Sequence, residues 1–208
     1  MPQRIAHLLS VFFHPIFVPL FALFLIFHSD TYLAYHSSPE ARRMLYIIVF
    51  ILTVAMPGLS TYILVKNQMV SNITLPEKRD RTAPYLITAF YYALLYYLLR
   101  RIPHIPPPLL SMVLGAICTL VLSTIINFRF RLSAHTAGIS GIIGIYAALS
   151  GSAVLLPERW VICSLILLAG IIGTARLLLN AHRPHEIYLG AAVGFLSEYV
   201  FIRYQIFL

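Results

Sequence analysis

Charge is scarce in this chain. Its 208 residues include seven acidic side chains and fifteen Lys or Arg, 11% in all, where a soluble domain carries about 25%. With 60% of residues apolar and a mean hydropathy of +0.84, an ordinary soluble domain is excluded and the solvent is lipid. Cysteine is nearly absent as well. Cys118 and Cys163 lie inside apolar runs with no CxxC spacing, which argues against a disulfide scaffold or a thiolate metal quartet and leaves them as small core residues. The alternation of a membrane β-barrel is missing, and so are internal repeats and low-complexity tracts. The first apolar run has no A-x-A cleavage site and contains His14, Pro15 and Pro19, so it reads as a retained span that the prolines kink. A net charge of +8 would suggest nucleic acid in a soluble chain. Lys and Arg at membrane faces account for it here, and no nucleic-acid partner is expected.

What the sequence does have is long apolar runs. They place seven spans near residues 8–27, 45–65, 82–99, 109–127, 134–156, 160–179 and 187–207. Unbroken runs of this length are helical, because hydrocarbon leaves no other partner for the backbone polar groups. The expectation is a single all-α, polytopic membrane domain over residues 1–208 with about seven transmembrane helices. Counting crossings puts connectors 66–81, 128–133 and 180–186 on one face, and 29–43, 100–108 and 157–159 on the other. The first face collects Lys78, Arg79 and Arg81, then Arg129, Arg131, Ser133 and His135, then Arg176, His182, His185 and Glu186.

Any one of these arginines reads equally well as an interfacial anchor whose head group reaches lipid phosphates. Two histidines beside Arg131 and Arg176, with Glu186 one helical turn from His182, fit a different purpose. Guanidinium groups match phosphate oxygens in pairs, and imidazoles attack phosphorus or protonate a leaving alkoxide near neutral pH. That combination describes a pocket for a phosphate ester.

The segment Arg176-Leu177-Leu178-Leu179-Asn180-Ala181-His182-Arg183-Pro184-His185-Glu186 has the spacing R-x5-H-x3-E. It resembles the SRxxxxxHxxxD motif of the type 2 phosphatidic acid phosphatase superfamily, which also includes the vanadium haloperoxidases. Leu132-Ser133-Ala134-His135 resembles that family's PSGH motif, and Lys78 to Pro84 loosely echoes its KxxxxxxRP motif. Order and intervals fit over residues 66–194. The departures are Ala175 for Ser, Glu186 for Asp, Leu132 and Ala134 for Pro and Gly, and an altered Lys-to-Arg-Pro spacing. The resemblance implies a six-helix phosphatase-like core and a lipid phosphate phosphatase working through a phosphohistidine, with no metal and no cofactor.

In that scheme His182 is the nucleophile, Glu186 accepts from its other ring nitrogen, and His135 protonates the leaving oxygen and then activates water. Arg176, Arg81, Arg79, Arg131 and Lys78 would neutralise phosphate, with Arg81 and Arg79 favoured over Lys78 within the first motif. Ser133 and the first amides of the helix at Ala134 would hydrogen-bond it. The implied partner is a membrane lipid phosphate held in the bilayer: a phosphatidylglycerol phosphate, phosphatidate, polyprenyl diphosphate or lipid A phosphate. Two alternatives share the pocket, a lipid phosphotransferase and a non-catalytic membrane protein that binds or transports lipids. A zinc site at His182, His185 and Glu186 is disfavoured, since neither an HExxH helix nor a Cys/His quartet is present.

Other residues read as structural. His7, His14, His28, His36 and His104 receive no catalytic role. Gly138, Gly141, Gly144, Gly170, Gly173, Gly190 and Gly194 permit close helix contacts, and Tyr91, Tyr92, Tyr96 and Tyr97 face lipid or an acyl-chain groove. Glu198, well inside the last span, must be protonated, paired or turned to a wet cavity. With the phosphate-site residues and Arg183 set aside, the motif face keeps Arg4, Lys66 and Arg129 against Arg42, Arg43, Arg100, Arg101, Arg159 and Arg203 opposite. The positive-inside rule then points the motif face outward, in agreement with the outward catalytic face in a bacterial inner membrane that the resemblance implies.

Overall fold

The computed structural model describes residues 1–29, 32–72, 78–103, 105–150 and 159–206, and these are helical with no strand. The chain runs α1 (Gln3–Phe12), α2 (Val18–His28), α3 (Tyr32–His36), α4 (Pro39–Phe50), α5 (Met56–Lys66), α6 (Lys78–Arg101), α7 (Pro107–Asn127), α8 (Ala134–Ser150), α9 (Arg159–Leu178) and α10 (Pro184–Tyr204). Five segments are long and apolar enough to cross a membrane: Gln3–His28, Pro39–Lys66, Asp80–Arg101, Pro107–Asn127 and Trp160–Leu178. Phe24, Phe50, Leu59, Phe90, Ile125 and Leu167 point outward from them. So extensive an apolar exterior belongs in lipid, and the protein is a polytopic helical membrane protein.

The two remaining expected spans differ in kind. α8 has 17 residues, buried along nearly its whole length, so it is the central helix and meets protein instead of lipid. α10 has 21 residues and carries Glu186 and Glu198 buried. The last part of expected span 134–156, and the turn before Arg159, fall at residues 151–158, outside the described residues.

Several boundaries move for local reasons. Lys78 through Arg81, expected in a connector, form the first turn of α6. α4 starts six residues before the expected span because the Ser38 hydroxyl accepts the Ala41 amide 3.2 Å away and Pro39 occupies the first helical position. A π turn at Ile51–Ala55 joins α4 to α5 just before Pro57, whose missing N–H disrupts the regular ladder. The first span is broken at Pro15: His14 takes an extended conformation (φ −63°, ψ 138°), and a short 3₁₀ turn, Pro15–Phe17, leads into α2. The residue before a proline is pushed out of the helical region.

α8 and α10 run parallel, starting at the same end of the bundle. The Ser133 amide donates to the Glu186 carbonyl at 3.2 Å, and the Thr136 hydroxyl donates to the Ile187 carbonyl at 3.2 Å. A Cβ at Gly190 would lie 2.6 Å from the Ser133 carbonyl oxygen, and one at Gly194 or Gly144 would overlap the carbonyl of Ala137 or Phe195. These glycines are the close contacts expected of small residues in membrane helices. Gly170 departs from that expectation, with nothing near its Cβ position. Cys163 is exposed on the outer surface, not in the core, and Cys118 is half-buried.

The two glycine classes separate in a thermal unfolding experiment in detergent. Gly194→Ala forces α8 and α10 apart and should cost about 1–3 kcal/mol or more. Gly170→Ala, with open space around it, should stay within about 0.5 kcal/mol. Equal melting temperatures for the two variants would contradict the packing described.

Candidate active site

The three connectors expected on one face meet there. Arg131 in the α7–α8 turn offers its carbonyl to the His182 ring, Leu132 offers its carbonyl to Arg81 Nη1 at 3.4 Å, and the Ser133 amide reaches Glu186. Helix starts of α6, α8 and α10 and the ends of α7 and α9 therefore converge.

His182 lies in the turn before α10 and is 7% exposed. Its Nδ1 is 3.0 Å from the Arg131 carbonyl and 3.2 Å from Glu186 Oε2. Both partners only accept, so Nδ1 carries the proton and Nε2 holds the free lone pair. The same Glu186 oxygen accepts the Arg183 amide at 3.0 Å, with Pro184 at the first helical position. A carboxylate at the third helical position needs Glu's length to return to the cap amide, so one side chain both starts α10 and orients the imidazole. Burial, followed by the nearby Arg176 and Arg81 charges, pushes the His182 pKa down to about 4 against the opposing pull of Glu186. The ring is neutral at pH 7.

His135 sits in the first turn of α8. Its Nε2 donates to the Ser10 carbonyl at 2.9 Å, which leaves Nδ1 with the lone pair, the reverse of His182. Ser10 can accept because the first span is broken. The His14 amide bonds Val11 at 3.3 Å instead of Ser10, and the oxygen released from the helical ladder is the one that orients His135.

Both histidines, Arg81 and Arg176 line one end of a cavity of ≈ 570 Å³. Arg81 is 8% exposed, and the buried Nε of Arg176 has no hydrogen-bond partner. An unpaired guanidinium nitrogen beside two imidazoles suits an anionic oxygen. His14, given no role from sequence, also lines this end, with its ring centroid 5.5 Å from that of His135. Its Nδ1 accepts the Ile16 amide at 3.3 Å, capping the 3₁₀ turn. The signal available was an ionisable residue before a proline inside a membrane span.

Other expected residues lie elsewhere. Arg131 contributes its backbone to His182, and the residue lines a second, smaller pocket with Arg129, Phe130, Arg183, His185 and Glu186. Ser133 is fully buried, and its Oγ accepts the Thr136 amide at 3.5 Å, within α8's own first turn. The side chains of Lys78, Arg79 and His36 lie outside the described residues, as does His104. His185 is turned toward the Phe130 ring, 5.9 Å away, and among the described residues no three His, Cys, Asp or Glu side chains are gathered for a metal ion.

Away from the histidines the cavity becomes mostly apolar, with Glu198 as its one acidic lining residue among the described residues. It runs past Val18, Leu23, Val49 and Ile145 to Leu99 and Leu109, near the opposite end of α6. Tyr92 faces it, whereas Tyr91 pairs with Ser60 and Tyr97 lies outside against Arg101. One polar end on a long apolar interior is the shape of a site for an amphiphile. No protein-family model matches this chain, and neither a curated protein nor a solved structure matches it.

Nitrogen-detected NMR of histidine-labelled protein reads these assignments. His182 should show the Nδ1–H form and His135 the Nε2–H form. Because burial lowers the His182 pKa below the ordinary value of about 6.5, its ring stays neutral as the pH falls through 6 and protonates only near 4. Between those values the unfolded chain takes up the proton first, so this group costs stability as pH falls and contributes nothing above about 6.5. Protonation of His182 with a midpoint near 6.5 would contradict the described environment.

Proposed function

We propose that the protein is a membrane lipid phosphate phosphatase that works through a phosphohistidine on His182. The observation supporting this most directly is that the free Nε2 edge of His182, the ring of His135 and the Arg176 and Arg81 guanidinium groups share one end of a cavity whose remaining lining is mostly apolar. The resemblance of R-x5-H-x3-E and the Ser-Ala-His turn to phosphatidic acid phosphatase motifs points the same way.

The reaction balances in two steps. A phosphomonoester dianion enters the basic end, where the arginines neutralise its oxygens, and its charge favours a proton on His135. His182 Nε2 attacks phosphorus, the bond from phosphorus to the lipid oxygen breaks, and His135 gives that oxygen its proton. Water then loses a proton to His135 and attacks phosphorus, the N–P bond breaks, and inorganic phosphate leaves. Glu186 stabilises the charge on the phosphorylated ring through Nδ1–H, and each residue returns to its starting state. Ser133 starts α8 in this scheme, and Arg131 acts through its carbonyl. The residual charge count of three basic groups against six supports a reacting face turned outward, as in a bacterial inner membrane.

Purified protein should release phosphate from a panel of lipid phosphates in the presence of chelator. His182→Ala should abolish release, and His135→Ala should lower it by about 10²–10⁴-fold. Pro15→Ala touches neither histidine, but by letting the His14 amide reclaim the Ser10 carbonyl it should also lower turnover. Release that requires an added divalent metal, or that survives His182→Ala, would overturn the proposal.

A further inference from the structure

Glu198 is left unused by the phosphatase scheme. It is 7% exposed, lines the cavity, and its Oε2 has no hydrogen-bond partner. Its carboxyl fits where two helices lack side chains: a Cβ at Gly115 would lie 2.5 Å from Oε2, and one at Gly141 would lie 3.3 Å from the Glu198 Cγ. A buried carboxyl costs free energy until something in the cavity pairs with it.

Depth identifies what that partner would be. Gly190 lies at the level of the Ser133 carbonyl, and Glu198 follows eight residues later, about 12 Å along the axis. Helical side chains lean back toward the N-terminus, so the carboxyl lies roughly 10 Å beneath the Ser133 carbonyl, where α8 starts. In an acylglycerol phosphate, six bonds separate phosphorus from the ester carbonyl carbon, about 7 Å when extended. A hydrogen bond of about 3 Å completes the distance. A polyprenyl or simple alkyl phosphate offers only hydrocarbon at that depth and leaves the carboxyl unpaired.

We infer that Glu198 is a specificity residue that donates a hydrogen bond from its acid form to the acyl ester carbonyl, selecting acylglycerol phosphates over polyprenyl and alkyl phosphates. The inference rests on the phosphatase reading for the position of the phosphate. A site built around a hydrogen bond rejects the analogue that lacks the partner, because its own buried group is then stranded.

A matched pair of lipids tests it: a 1-acylglycerol 3-phosphate and its 1-O-alkyl ether of equal chain length, which lacks only the carbonyl. Wild type should favour the acyl lipid about ten-fold in kcat/KM. Glu198→Ala should bring the two lipids together, and Glu198→Gln, whose amide still donates, should keep the preference. Equal use of both lipids by wild type, or a loss in Glu198→Ala that is the same for both, would overturn the inference. Native mass spectrometry with the same lipids separates the two readings. Acyl-selective binding that Glu198→Ala erases, without turnover, sinks the phosphatase proposal and keeps the assignment of Glu198. Turnover without selectivity does the reverse.

Discussion

The glycine edge of α10 lies directly on the backbone of α8, and the polar end of the cavity depends on that closeness. Ordinary helix pairs are held 8–10 Å apart by their side chains. Gly190 and Gly194 let α10 approach until the Ser133 and Ala137 carbonyls occupy the space a Cβ would need. Two parallel helix starts then sit side by side, close enough for the Ser133 amide to bond Glu186 and for the Arg131 carbonyl to reach His182. A methyl group at either glycine would disturb the helix contact and the orientation of the His182 ring together.

Pairings that depend on spacing are legible in the sequence. His182 and Glu186 sit four apart across a helix start, and the geometry pairs them at 3.2 Å. The arrangement of connectors followed from counting apolar runs. What spacing does not carry is direction: Arg131 stands in the expected turn yet presents its carbonyl, and Ser133 turns its hydroxyl into its own helix. A histidine in an apolar run reads as packing, and only the Pro15 break brings His14 to His135. Cys163 lies in an apolar run and yet is exposed, because apolar neighbours in sequence do not by themselves mean a core. In lipid the exterior is apolar too.

The cavity and the α8–α10 seam divide the bundle between two packing regimes. Carbonyls and glycines touch along the seam, while Gly115 and Gly141 on neighbouring faces leave room for the Glu198 carboxyl at the cavity wall. A small residue closes the helices in one place and opens a binding volume in the other. Which effect results depends on whether the facing group is backbone or the end of a long side chain.

Opposite tautomers give the two imidazoles different capacities. His182 Nδ1–H is shared between a carbonyl and a carboxylate, and the carboxylate raises the electron density available at Nε2 and stabilises positive charge on the ring once that nitrogen has bonded. His135 Nε2–H meets only the neutral Ser10 carbonyl, which orients the ring without a fixed negative charge to hold an added proton. A ring supported that way releases a proton more readily than it keeps one. In the proposed phosphatase scheme this asymmetry suits His182 to attack and His135 to proton transfer, and it arises from two backbone events distant in sequence: the cap that Glu186 places on α10 and the carbonyl that Pro15 frees at the end of α1.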